Sequence, residues 1–246
     1  GILHGAILNL LKPGLVKAVV DKSLFLTVGL SRMFKSLEFY RDLNKMLNEI
    51  DPDVVYVTTP TTSHFSILTK LLEHGIKYIF VEKPPTVNYE QLEQITKMKN
   101  SDSIIMVGLQ KRYALPFRHA KAIIDTGVLG DIEHVYAYIK SGDIIVPTTR
   151  FDSLGRGVLL DLGIHLIDLL LWLFGSLDVV NARFKSIHTR VDDLFEAELK
   201  TETNTIIKIE TTWSNPQFRL PETYIEGVSY THLRAHETSL HLVCRL

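Results

Sequence analysis

Four short, nearly continuous apolar runs in the N-terminal half of the chain constrain the fold more than any other feature of the sequence. Such runs are typical of parallel strands that are buried on both faces of a sheet. Segments with helical periodicity lie between them, so strands and helices alternate. This alternation predicts a Rossmann-type α/β domain with a doubly wound parallel sheet. The predicted strands are 15–21, 53–59, 77–82 and 103–109, and the predicted helices are 5–12, 36–49, 64–74 and 88–99.

The pattern changes after about residue 113, where strands begin to follow one another directly. Successive strands predict an α+β domain with a mostly antiparallel sheet and helices on one face. We therefore predict a dinucleotide-binding domain over 1–115 and a substrate and oligomerisation domain over 116–227. The predicted helices are 116–126 and 158–174, and the predicted strands are 132–140, 178–188, 193–201 and 204–213.

Both ends of the chain depart from these patterns. Gly1 opens directly on a glycine-containing helix, so we expect the first strand and part of the glycine motif to be missing. The segment 228–246 has no clean period and resembles the translation of a sequencing adapter. We predict that this tail is not native and lies outside the sheet. The alternative is a short native C-terminal helix.

Composition narrows the class of protein. Hydrophobic residues make up 46% of the 246 residues and the formal net charge is -1, which argues against a nucleic-acid-binding surface and against disorder. The single cysteine, Cys244, can form no internal disulfide, which fits a reducing compartment or a fold that needs no bridges, and we expect a cytoplasmic protein. The apolar segment 158–174 is short for a membrane span and contains Asp161, His165 and Asp168, so we expect a buried helix.

A possible phosphate-binding corner lies near the N-terminus. Gly1 and Gly5 precede a helix, and Asp21 ends the following strand about twenty residues later. Backbone N–H groups at such a helix start can bind a pyrophosphate, and the acid can hold the ribose hydroxyls. Asp21 favours NAD over NADP because a carboxylate repels a 2′-phosphate, and Lys22 weakens that preference. The alternative is a glycine that merely opens a helix and an aspartate that ends a strand.

Two polar features interrupt otherwise apolar elements. Asp161, His165 and Asp168 have helical spacing and share one face of the buried helix, where they need partners or a function. The alternative is an Asp–His pair that only locks the core. Lys83 follows a buried strand and precedes Pro84, which as a cis proline would aim the lysine into a cleft. The alternative is a lysine that reaches solvent.

Three motifs occur in a characteristic order: Thr-Thr-Pro-Thr-Thr-Ser-His over 58–64, Glu-Lys-Pro over 82–84, and Asp161-Leu-Gly-Ile-His165. Together they resemble the glucose–fructose oxidoreductase / inositol dehydrogenase (Gfo/Idh/MocA) family over about residues 1–227. The resemblance implies an NAD-dependent oxidoreductase, with NADP possible, that acts on a hydroxyl or carbonyl of a sugar, polyol or related small molecule. It also implies a homo-oligomer built by the open sheet of the C-terminal domain.

The resemblance also implies roles for individual residues. Lys83 would hydrogen-bond the reacting oxygen, His165 would act as general base, and Asp161 would orient His165, all in one cleft between the domains. We expect no metal ion, no nucleic acid and no membrane as partners. The implied cofactor-binding residues are Gly1, Gly5, Asp21, Thr59, Pro60, Thr61, His64, Glu82, Lys83 and Gln110, and the implied substrate-binding residues are Lys83, Arg112, Asp161 and His165.

Two other functions remain open from the sequence. One is a glycosidase or lyase that uses tightly held NAD for a transient oxidation. The other is a non-enzymatic dinucleotide sensor on the same fold, against which the intact Lys83, Asp161 and His165 argue. The loop 141–156 would shape the substrate pocket, so the sequence does not identify the substrate.

Overall fold

A computed structural model describes residues 1–23, 37–144, 157–217, 220–233 and 236–245. The chain forms two compact units, Gly1–Gly108 and Leu109–Leu246. The division falls shortly before the predicted boundary at 115/116. Most of the predicted substrate-pocket loop, 145–156, lies outside the described residues.

The N-terminal unit alternates helices and strands as the apolar runs predict. The four predicted strands are present as β1, β3, β4 and β5. Its elements are α1 (Ile2–Leu11), β1 (Ala18–Val20), β2 (Glu38–Tyr40), α2 (Leu43–Glu49), β3 (Val54–Val57), a 3₁₀ turn (Thr61–Ser63), α3 (His64–Glu73), β4 (Tyr78–Val81), α4 (Tyr89–Met98) and β5 (Ile104–Val107).

The predicted helix over 36–49 is wrong in its first part. Glu38–Tyr40 forms β2, which pairs in parallel with β1. The helix α2 begins only after Asp42, whose side chain accepts a hydrogen bond from the backbone N–H of Lys45. The helix starts later than predicted because the preceding residues pair with β1 and because Asp42 caps the helix. The hydrophobic periodicity of the segment shows neither of these contacts.

The strands of the N-terminal unit form two parallel sheets, β1–β2 and β3–β4–β5. One face of the larger sheet packs against α3 and α4, where Val57, Ile79 and Val81 meet Leu68 and Leu71 in one buried cluster. The opposite face carries large apolar side chains that are 41–57% exposed: Val54, Tyr56, Tyr78, Ile104 and Met106. The alternation of buried and exposed residues sets which side of the sheet forms this core.

The C-terminal unit contains one six-stranded sheet, in the order β11-β10-β6-β9-β8-β7. Only β6 and β9 pair in parallel, so the predicted, mostly antiparallel sheet is confirmed. Its elements are a 3₁₀ turn (Gln110–Tyr113), α5 (Leu115–Asp125), β6 (Ile132–Lys140), a π turn (Leu159–Gly163), α6 (Ile164–Phe174), β7 (Leu177–Lys185), β8 (Leu194–Thr201), β9 (Ile206–Thr212), β10 (Glu222–Leu233) and β11 (His236–Arg245).

The backbone of residues 228–233 and 236–245 differs from the predicted tail outside the sheet. β10 continues past Gly227 and pairs with β6 as far as Ser229, and β11 pairs with β10 from Leu233 back to Tyr224. Burial alternates along β10, with Ile225, Gly227 and Ser229 buried. This period of two carries β10 into the tail, whose described residues belong to strands of the sheet and not to a helix. The non-native origin of the tail stays a prediction.

The helix α6 fills the core of the C-terminal unit. Leu166, Leu169 and Leu170 have no exposed surface and pack with Ile207, Ile209 and the helix α5. No helix among the described residues is long and apolar enough to cross a bilayer. The apolar segment found in the sequence is therefore a core helix in the structure.

We predict that Leu169→Ala lowers the free energy of unfolding of the C-terminal unit by roughly 2–5 kcal/mol, because it leaves a cavity in a fully buried site. Urea titration followed by tryptophan fluorescence measures this, since both tryptophans, Trp172 and Trp213, lie in this unit. Leu171→Ala is the matched control on the same helix, because Leu171 is 43% exposed. Equal losses for the two variants would contradict the assigned core.

Candidate functional site

The carboxyl ends of parallel strands carry most of the cofactor-binding residues predicted for the N-terminal unit. Asp21 follows β1, Thr58 and Thr59 follow β3, Glu82 and Lys83 follow β4, and Gly108 follows β5. Ligands of open α/β sheets bind outside these strand ends. The hydrogen bonds between neighbouring strands continue there, because the N–H of Glu82 donates to the carbonyl of Val57 and the N–H of Gly108 donates to the carbonyl of Val81.

The helix α1 begins next to the end of β3. Gly1 is its N-cap and has no side chain to cap the helix, and the first N–H groups of any helix lack acceptors within it. A Cβ on Gly1 would lie 3.0 Å from Oγ1 of Thr58, so the chain approaches closely here. At Gly5 a Cβ would meet nothing within 4 Å, so the packing of the chain does not require glycine. Such a helix start can bind a phosphate group.

Asp21 is fixed at the end of β1. Its Oδ1 accepts a hydrogen bond of 2.7 Å from the N–H of Ser23, and its own N–H bonds to Tyr40. Arg41, at the end of β2, donates from Nη2 to the carbonyl of Lys22 at 3.2 Å. The guanidinium of Arg41 is therefore held at the backbone of the residue that follows Asp21. An acceptor for hydroxyls and a helix start for phosphates fit the chemistry of a nicotinamide dinucleotide.

Glu82 contacts a residue that the sequence did not single out. Its Oε1 lies 3.1 Å from Nε2 of His4, and its Oε2 accepts from the N–H of Lys83 at 3.3 Å. The ring of His4 also lies 5.5 Å from the ring of Phe80. No spacing rule links the first turn of α1 to the end of β4, so this pair could not be predicted. The peptide bond between Lys83 and Pro84 is cis, as the sequence suggested.

His64, one of the residues predicted to bind the cofactor, begins α3. The residue is 1% exposed, and both ring nitrogens contact backbone carbonyls: Nδ1 that of Pro84 at 2.9 Å and Nε2 that of Thr59 at 2.7 Å. Its polar atoms therefore bind the chain itself. His64 joins the segment after β3 to the segment after β4, and both of these segments carry predicted cofactor-binding residues.

The remaining residues predicted for the cofactor lie nearer to solvent. Thr59 and Pro60 are exposed at the start of the 3₁₀ turn, and Thr61 is half-buried. The hydroxyl of Ser63 donates to Oγ1 of Thr59 at 2.8 Å. Gln110 is exposed in the 3₁₀ turn that opens the C-terminal unit.

In the C-terminal unit, Asp161 lies in the π turn, and His165 and Asp168 lie on α6. His165 is 5% exposed and Asp168 is 8% exposed. The π turn runs directly into α6, so one continuous helical segment carries all three. A π turn inside a helix is a rare feature that often marks a functional site. The predicted polar face on an apolar helix is thus present.

Arg112 binds Asp168, an arrangement that the sequence did not predict. Its Nε donates to Oδ2 at 2.7 Å and its Nη2 donates to Oδ1, which makes a two-bond pair. These hydrogen bonds to the carboxylate of Asp168 raise the pKa of Arg112 above its ordinary value. The guanidinium that was predicted to bind substrate is therefore engaged in holding the buried helix.

Trp213 was missed by the sequence analysis. This fully buried residue follows β9, and its indole Nε1 donates to Oδ2 of Asp161 at 3.2 Å.

The start of the π turn is held by Asp192, whose carbonyl accepts a hydrogen bond from the N–H of Val158 at 2.7 Å. Within the described ranges, no cluster of three or more His, Cys, Asp or Glu side chains is placed to hold a metal ion.

Sequence comparison matches both units to one family. Residues 21–109 match the oxidoreductase family with an NAD-binding Rossmann fold (GFO_IDH_MocA), and residues 117–229 match the GFO/IDH/MocA C-terminal domain. An uncharacterized oxidoreductase, YhhX of Escherichia coli (strain K12), is 31% identical over 172 residues, covering 68% of this chain and 49% of YhhX. The chain thus spans about half the length of this relative.

A second relative and a solved structure extend the likeness. The scyllo-inositol 2-dehydrogenase (NAD(+)) of Bacillus subtilis (strain 168) is 32% identical over 136 residues, covering 55% of this chain and 39% of that protein. The crystal structure of the WlbA dehydrogenase from Bordetella pertussis in complex with NADH and UDP-GlcNAcA has a TM-score of 0.75 at 19% identity. The match covers 86% of this chain and 64% of that one. At this identity the likeness shows the fold alone.

We predict that His64→Phe loosens the segments after β3 and β4, because it removes the ring that contacts the carbonyls of Thr59 and Pro84, and a buried carbonyl left without its N–H donor costs about 1–3 kcal/mol. Hydrogen–deuterium exchange followed by mass spectrometry should show faster exchange in peptides covering 58–63 and 82–87. His119→Phe, an exposed site on α5, is the control and should leave these peptides unchanged. Unchanged exchange in His64→Phe would argue against the proposed link between the two segments.

Proposed function

The chain belongs to the Gfo/Idh/MocA oxidoreductase family. From this membership we propose that it acts as an NAD-dependent dehydrogenase that oxidises a secondary hydroxyl. The observation that carries the proposal is the pairing of two features within one chain. Binding groups stand at the ends of parallel strands, and Asp161, His165 and Asp168 stand on a helical segment whose other residues are apolar or glycine.

The cofactor-binding role rests on the N-terminal unit. The start of α1 at Gly1 would receive the pyrophosphate, and Asp21 would accept hydrogen bonds from ribose hydroxyls. Thr59, Pro60 and Glu82 would line the nicotinamide end. When bound, NAD supplies the chemistry by accepting a hydride at its nicotinamide ring. His64 supports this site indirectly, through the carbonyls of Thr59 and Pro84.

The proton-handling role rests on three side chains. Lys83 would donate a hydrogen bond to the reacting oxygen and stabilise the negative charge that develops on it. His165 would take the hydroxyl proton, since imidazole is the side chain best suited to proton transfer near neutral pH. Asp161 would hold the imidazole in orientation. Arg112 would contribute through its pair with Asp168 on the same helix, rather than by contacting substrate.

We assign the substrate to ring compounds that carry secondary hydroxyls, such as cyclic polyols and sugars. Support comes from a relative named for scyllo-inositol and from a similar fold bound to UDP-GlcNAcA. NAD is proposed ahead of NADP because Asp21 ends β1.

We also propose a homo-oligomer. The edge strand β7 is exposed along most of its length, and Val179, Val180 and Phe184 are 55–68% exposed. An exposed apolar edge strand is a liability for a monomer, and an interface would cover it. Sedimentation velocity distinguishes a monomer from a larger species.

We predict that Lys83→Ala and His165→Ala each lower turnover by about two to four orders of magnitude, the usual effect of removing an acid–base group. NADH formation is measured by absorbance with myo-inositol, scyllo-inositol and glucosides as substrates, and NAD affinity by calorimetry. The dissociation constant for NAD should change much less than turnover. His119→Ala, at an exposed site, is the control.

Three results would contradict this proposal: turnover unaffected in both variants, no binding of NAD, or NADP bound as tightly as NAD. Product formation without net NADH formation would instead assign the chain to enzymes that oxidise their substrate transiently. NAD binding with no turnover on any hydroxyl compound would support a dinucleotide sensor.

A further inference from the structure

We propose that Trp213 is a positioning residue that orients the carboxylate of Asp161 through its indole N–H. The proposal rests on the proposed function only for the catalytic role of Asp161; the contact itself stands on the structure. Trp213 has no exposed surface, and an indole N–H is a donor with no acceptor capacity. A buried indole N–H needs an acceptor, and Oδ2 of Asp161 lies 3.2 Å away.

Trp213 is itself held in place by the backbone. Its N–H donates to the carbonyl of Asp193 at 3.2 Å, and its carbonyl accepts from Ile144 at 3.0 Å. Asp193 is fully buried, and its carboxylate accepts backbone hydrogen bonds from Ile187 at 2.8 Å and Thr189 at 3.1 Å, as well as from His188. The donor side of the contact is therefore anchored to a rigid turn.

Asp161, the acceptor, is held in place through Asp192, the residue that precedes Asp193 in the same turn. The carbonyl of Asp192 accepts from Val158, and its Oδ2 accepts from the N–H of Leu159 at 3.1 Å, at the start of the π turn that carries Asp161. Gly157 makes room for this carboxylate, because a Cβ at that position would lie 1.6 Å from Oδ1 of Asp192. Asp192 and Asp193 thus fix the two partners of the indole–carboxylate contact.

This arrangement has a consequence for His165. Asp161 and His165 are four residues apart along one helical segment, and in the proposed mechanism the carboxylate orients the imidazole, so its own orientation would matter for turnover. A hydrogen bond to one carboxylate oxygen restricts rotation of the side chain. Outer partners of this kind hold functional side chains in the orientation that a reaction needs. Trp213 would therefore influence turnover without contacting substrate.

The direct experiment uses the two indole N–H signals of the ¹⁵N–¹H spectrum, since the chain contains two tryptophans. Trp172→Phe removes one signal and assigns the other to Trp213. We expect Asp161→Asn to shift the signal of Trp213, because its indole N–H donates to this carboxylate, and to leave that of Trp172 in place. This test needs no substitution at Trp213 and no activity. Equal responses of the two signals, or none, would overturn the proposal.

The kinetic experiment tests the functional consequence. Trp213→Phe keeps an aromatic ring and removes the donor, and we expect kcat to fall by about 10- to 100-fold, as small misplacements of catalytic groups do. KM for NAD should stay unchanged. Trp172→Phe is the matched control, and thermal unfolding of both variants separates loss of fold from loss of position.

A double-mutant cycle with Asp161→Asn separates this inference from the proposed function. If Trp213 acts through Asp161, adding Trp213→Phe to Asp161→Asn causes no further loss of kcat. Independent, additive losses would overturn the positioning role while leaving the dehydrogenase assignment intact. Full activity in Asp161→Asn alone would instead remove the catalytic role of Asp161, and the spectroscopic result would still decide whether the contact exists.

Discussion

The cost of burying ionisable groups inside an apolar helix shapes the C-terminal unit. Asp168 and His165 are almost fully buried on α6, among leucines that offer them no hydrogen bonds. A carboxylate in such a place is tolerated only when a donor meets it, and leaving it unmet costs several kcal/mol. Arg112 meets Asp168 from the 3₁₀ turn, and Trp213 meets Asp161 from the end of β9. Two different elements are thereby tied to one helix.

The N-terminal unit meets a related requirement with one buried side chain that contacts backbone carbonyls. Strands β3 and β4 end in irregular segments whose carbonyls are no longer paired within the sheet. The buried ring of His64 lies against the carbonyls of Thr59 and Pro84, one from each segment. The side chain that opens α3 thus connects two neighbouring strand ends. A strand-end site on parallel sheets needs such links, because each of its walls belongs to a different loop.

The sequence predicted what depends on local period and missed what depends on contact between distant segments. The four apolar runs located β1, β3, β4 and β5, and the spacing of Asp161, His165 and Asp168 placed them on one helical segment. β2 was missed because only its pairing with β1 distinguishes it from a helix start. The pairs His4–Glu82 and Arg112–Asp168 join residues 78 and 56 positions apart, and no periodicity reports on such distances.

The turn at Asp192 and Asp193 shows why the missed contacts matter as much as the motif. Neither aspartate belongs to a sequence motif. Even so, the carboxylate of Asp192 accepts a hydrogen bond from the first residue of the π turn, and the carbonyl of Asp193 accepts one from the N–H of Trp213. The motif residues Asp161 and His165 fix only their separation along the helix. Their orientation depends on where that helix begins, and Gly157 and Asp192 set this point by close approach. A substitution far from the motif in sequence can therefore change its geometry while leaving every motif residue in place.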